Sequence, residues 1–114
     1  MDYTQIINLL RRSDRLLTYK YFVGCCTEGD LVAARAVHAA CTITREEVLR
    51  VDPAGGLSPL GEACSNGHHL VLNWLVAAFA LTRDDMSALK MHDLPGNPEG
   101  CRKVAEYIHV HFGL

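Results

Sequence analysis

The chain has no apolar run that reaches the ~18 residues of a membrane span. Its longest candidate, residues 70–81, is interrupted by Asn73 and fits one buried helix better. It has little net charge: 11 Lys+Arg against 13 Asp+Glu leave a formal −2, which gives no electrostatic case for nucleic acid. Its first residues, Met-Asp-Tyr-Thr-Gln, lack the basic start and apolar core of a signal peptide, so a cytoplasmic protein is expected, or one in a host's cytoplasm. No two of the five cysteines (Cys25, Cys26, Cys41, Cys64, Cys101) are spaced Cys-x-x-Cys. That spacing would be needed for a zinc or redox motif, so five free thiols are expected, acting as small apolar residues. Gly55-Gly56 is followed by no Lys-Ser/Thr and preceded by no strand, so it reads as a turn and not as a phosphate loop. What the chain does have is 49% apolar residues in 114, too many for disorder and enough for one domain with a modest core.

Apolar residues recur at helical spacing along most of the length. Residues 4–17 read as one helix, with Ile6, Leu10 and Leu17 apolar and Arg11, Arg12 and Arg15 on a polar side. These arginines and Lys20 are interleaved with Asp14, Glu28 and Asp30, which reads as a solvated face. Residues 19–27 read as a second, short helix. Gly29 suits a left-handed terminus and Asp30 caps the next helix, which runs to about Cys41. Thr44 with Glu47 is a capping-box pattern that opens a short helix to about Val51. Asp52-Pro-Ala-Gly-Gly56 is the clearest turn.

A shift of 38 residues lays this pattern on the next stretch of chain. Cys26 falls on Cys64, Gly29 on Gly67, Ala39-Ala40 on Ala77-Ala78 and Thr44-Arg45 on Thr82-Arg83. Phe22 falls on Leu60, Val37 on Leu75, Ile43 on Leu81 and Val48 on Met86. A fixed period in this range signals stacked repeats that bury their faces against each other. A shift of 33 places Gly67 on Gly100, Trp74 on Tyr107 and Phe79 on Phe112, so residues 99–112 read as the second helix of a partial third unit. Its first helix is lost to the two prolines of Asp93-Leu-Pro95-Gly-Asn-Pro98.

Gly56-Leu57-Ser58-Pro59-Leu60, then Ala63-Cys64, then Gly67-His68 and an apolar helix resemble an ankyrin repeat, with Ser in place of Thr at the entry and Gly61 in place of the entry histidine. The resemblance implies an all-α chain, a short ankyrin-like solenoid, with a capping helix at 1–18, repeats at 19–55 and 56–90 and a partial repeat at 91–114. Long repeats with these endings resemble those of large DNA viruses and their amoebal hosts. Armadillo-like or HEAT-like repeats are the structural alternative, but they lack the Ser-Pro-Leu entry and the Gly-His turn.

The resemblance implies a protein-binding scaffold without catalysis or cofactor. In such stacks the loop tips and exposed ends of the short helices form a concave face. The matching positions are Thr27, Glu28, Ser65 and Asn66, with Asp52 and Ala54 on the turn between units. An assembly subunit packed by its repeat ends is the second hypothesis. A monomer or weak homodimer is expected, the dimer through the last helix, where Tyr107 and Val110 leave apolar area. His68-His69, and His109 with His111, diverge on a helix and form no metal site. His38 and Cys41 stand at i, i+3, but no orienting group or substrate pocket accompanies them, so a surface histidine and a buried thiol are expected. Trp74, the single tryptophan, is expected in the core.

Overall fold

The computed structural model describes residues 4–51, 56–89 and 98–114, and these are all-helical, with no strand among the described residues. The helices are α1 (Thr4–Arg12), α2 (Arg15–Glu28), α3 (Leu31–Cys41), α4 (Arg45–Leu49), α5 (Pro59–Ser65), α6 (His69–Phe79), α7 (Arg83–Ser87) and α8 (Pro98–Phe112).

The single helix expected over residues 4–17 is two. Ser13 Oγ donates to the Leu9 carbonyl at 2.7 Å, and extended Asp14 accepts the Leu17 N–H at 3.1 Å. These local bonds compete with helix continuation, so α1 stops at Arg12 and Asp14 caps a new helix. Residues 15–17 thus belong to α2, which is longer than the short helix read from the sequence.

From there the 38-residue register is physical. Gly29 and Gly67 have φ of +74° and +75°, and each donates its N–H to a cysteine carbonyl three residues back, Cys26 and Cys64. Asp30 and His68 then donate to Cys25 and Ala63. Only a residue without Cβ takes that backbone without strain, which is why glycine stands at both reversals. Thr42 and Ala80, both at φ +50°, close α3 and α6 with bonds to His38 and Val76. Capping boxes open α4 and α7, Thr44 with Glu47 and Thr82 with Asp85.

The buried residues follow the same register. Phe22 and Leu60, Cys26 and Cys64, Ala34 and Leu72, Val37 and Leu75, and Val48 and Met86 all lie in one core. α2 packs most extensively on α5, with α3 beside α2 and α6 beside α5. α1 lies over α2 and α3 at one end, and α8 over α5, α6 and α7 at the other. Leu10 from α1 and Val104 from α8 are the buried anchors of these two ends. Burying such side chains contributes about 1.5–3 kcal/mol each.

One alignment and one expected exposure do not hold. Gly100, laid on Gly67 by the 33-residue shift, is not a third reversal, because Pro98 takes the first turn of α8, a position that needs no N–H, and Gly100 is buried inside the helix. His38 is not on the surface. It is half-buried, its ring 4.8 Å from Phe79 and 5.9 Å from Trp74, and Trp74 lies 6.1 Å from Phe22. These four rings bridge the two units, and half-buried Trp74 lies among them.

Candidate functional site

The residues expected to bind a partner fall into four situations. Glu28 is exposed at the end of α2. Asp52 and Ala54 lie outside the described residues. Ser65 is only 3% exposed, because α8 lies against α5 there and the Cys101 thiol donates to the Ser65 carbonyl at 3.5 Å. Its place on an accessible face is therefore corrected: Ser65 is interior.

Thr27 and Asn66 are brought together, but by a third residue that no sequence motif marks. The half-buried Glu62 carboxylate accepts the Leu57 N–H at 3.1 Å and the Asn66 amide at 3.3 Å. The Thr27 hydroxyl faces two acceptors, the Val23 carbonyl at 2.9 Å and Glu62 at 3.4 Å. Asn66 also donates to the Glu62 carbonyl at 2.8 Å. His68 adds a link between units, donating from Nε2 to the Thr27 carbonyl at 2.9 Å, so the proton sits on that nitrogen. Thr27, Glu62, Asn66 and His68 form a polar seam that holds α5 and its reversal to the end of α2. Their chemistry is spent inside the chain. The signal that could have exposed this is Glu62 itself, four residues after the Ser58 cap and four before Asn66 on a helix of otherwise buried small residues.

The accessible part of this region is the outer face of α2. Leu16, Leu17, Lys20, Gly24 and Glu28 are exposed there, with Val23 and Thr27 half-buried at its edge. Apolar residues stand on both sides of this helix, so it has no single apolar stripe, although only one side meets the core.

Arg15, read as part of a solvated face, is a clamp. It donates to both Glu47 carboxylate oxygens at 2.8 and 2.6 Å and to the Cys41 and Thr42 carbonyls at 2.6 Å. Asp85, the counterpart of Glu47 in the next unit, is held by Arg45, whose Nη2 alone donates to both carboxylate oxygens. Burial pushes the Glu47 carboxyl up, but the bonds from Arg15 and Thr44 outweigh it and hold it below the ordinary glutamate value. Asp85 is likewise lowered, burial being outweighed by Thr82 and Arg45.

Cys25, Cys26 and Cys64 are buried in the core, whereas Cys41, expected to be buried, is half-buried, as is Cys101. Burial pushes Cys25 and Cys64 up to about 12, and Cys26 is raised as well, so none is a thiolate near neutral pH. All five cysteines are free. His38 does not serve Cys41: its Nδ1 accepts the Ile43 N–H at 3.2 Å. Among the described residues, no three His, Cys, Asp or Glu side chains come together as a metal site would require. A cavity of about 480 Å³ lies between the ends of α4 and α7, lined by Leu49, Val51, Leu57 and Leu89 with Asp84 and Asp85 at its edge. Ser58 also lines it, its Oγ accepting the Gly61 N–H at 3.0 Å. Compared with known proteins, the chain matches no family model, no curated protein and no solved structure.

Proposed function

We propose that this chain is a non-catalytic protein-binding module of the ankyrin-like helical-repeat class, a short solenoid whose units are α2–α4 and α5–α7. The observation that carries the reading is the duplicated punctuation. Glycine reversal, left-handed helix end and capping box recur at one spacing, and units built that way bury their faces on each other and leave a continuous outer surface for partners. The engagement of His38 by the Ile43 N–H supports a role without catalysis. The contact surface is the outer face of α2 from Leu16 to Glu28, with half-buried Thr27 at its edge, in place of the buried Ser65 and the internally bonded Asn66. A chain inside a cell or a host's cytoplasm fits the reading.

The test is capture of interacting proteins by the wild-type chain and by a Leu17→Arg/Glu28→Arg variant. Both residues are exposed and outside the core, so helical circular dichroism should be unchanged. Loss of the captured protein supports the reading. Undiminished capture places the contact surface elsewhere.

A further inference from the structure

The outer face of α2 carries a glycine that the fold does not need. Gly24 lies inside the helix, at the centre of the exposed side, and a Cβ built there meets nothing within 4 Å. Glycine within a helix is less stable than alanine, so neither backbone conformation nor packing within the chain accounts for it. A glycine at such a place permits the close approach of another backbone.

Its neighbours on the same line of the helix say which backbone. Lys20 and Glu28 stand four residues before and four after Gly24, each about 6 Å along the axis from it. Both are exposed, and among the described residues neither has an ion pair within the chain. An arrangement of cation, gap and anion at equal steps is complementary to itself when reversed. In a two-fold pair a residue that meets its opposite number is met in return. Two copies of α2 crossing antiparallel at Gly24 therefore set each Lys20 beside the partner copy's Glu28, while Leu16 and Leu17 flank the contact. A parallel pair would instead set Lys20 against Lys20.

We infer that α2 is a homodimer interface, antiparallel about Gly24, whose occupant is a second copy of this chain. The inference names the partner for the protein-binding face and rests on that reading. The face bears one cation and one anion, which suits its own copy better than a uniformly acidic or basic partner. The last helix is the poorer candidate. Its outer side is laced by Arg102–Glu106 and Lys103–Glu99 pairs and exposes a single large apolar residue within the helix, Val110.

The experiment is sedimentation or light scattering over a hundredfold range of concentration. The wild-type chain should pass from monomer to dimer mass. Lys20→Glu alone sets glutamate against glutamate, and Glu28→Lys alone sets lysine against lysine, so each should dimerise at least tenfold more weakly. Mixing the two single variants restores both ion pairs and should restore a mixed dimer, as should the double variant with itself. Gly24→Leu, which fills the crossing point, should be monomeric with its helical content intact. A wild-type chain that stays monomeric throughout overturns the inference, as does a dimer indifferent to both charge reversals. Neither result touches the capture of other proteins, which decides the broader reading separately.

Discussion

The two units, α2–α4 and α5–α7, share the glycine reversal, the left-handed end of the second helix and the capping box, yet they differ in how much of themselves they show. α2 has 14 residues and one face open to water. α5 has 7, of which Pro59, Leu60, Gly61, Ala63, Cys64 and Ser65 are all buried. The sequence register does not explain this contrast. The packing around each helix does: α5 is held between α2, α4, α6 and α8, whereas α2 meets α5, α3 and, more lightly, α1. A repeated sequence element thus acquires its exposure from its neighbours. The units differ a second time at the exit of their second helices. The Leu81 N–H goes to the Val76 carbonyl, but the matching Ile43 N–H goes to the His38 ring.

The comparison breaks most visibly in the core. Phe22 and Leu60 are equivalent and fully buried, so Phe22→Ala should cost about 3–5 kcal/mol and Leu60→Ala about 2–5 kcal/mol by urea denaturation. Phe22→Ala should cost the more, because its ring also meets Trp74 across the units. Equal losses would show that the ring bridge contributes nothing.

Next come the two reversals. Gly67→Ala should cost at least about 1–2 kcal/mol from left-handed strain. Gly29→Ala carries the same strain, and its Cβ would also lie 2.4 Å from His68 Nδ1. Adding His68→Ala should therefore return part of the Gly29→Ala loss. Thermal melts of Gly29→Ala with and without His68→Ala decide it.

The capping-box carboxylates separate the units more gently. Glu47 is 5% exposed and doubly held by Arg15, so Glu47→Gln should cost about 1–2 kcal/mol, below the full strength of charged hydrogen bonds because Arg15 is half exposed. Asp85→Asn should cost about 0.5–1 kcal/mol. Both carboxyls are lowered on folding. Their stabilisation is thus complete above the ordinary carboxylate values and is lost as pH falls through the folded ones. Acid titration of stability should flatten in each variant, and more so for Glu47→Gln.

The smallest effect has the opposite sign. Gly24→Ala should raise the stability of the isolated chain by about 0.5–1 kcal/mol, since it restores helix propensity without a clash. A loss would mean that α2 is covered within its own chain.

The helices, their caps and the 38-residue register were legible because they rest on contacts within about five residues. The Thr44–Glu47 and Thr82–Asp85 boxes, the positive φ of Gly29 and Gly67 and the cap at Asp30 are local chemistry, and they stand where the sequence placed them. The Ser13–Asp14 break was equally local, but the apolar periodicity of residues 4–17 concealed it. The candidate site was far less legible. Ser65 is polar in sequence and interior in space because α8, some 35 positions later, lies against its helix. Thr27 and Asn66 look like free loop tips until Glu62 engages both. Arg15 looks solvated until Glu47 arrives from 32 residues away. Most helix ends and reversals can be read from the residues alone, because capping and backbone strain act between near neighbours. Which faces are spent on the interior and which remain open depends on packing between elements far apart in the chain, and no local pattern carries it.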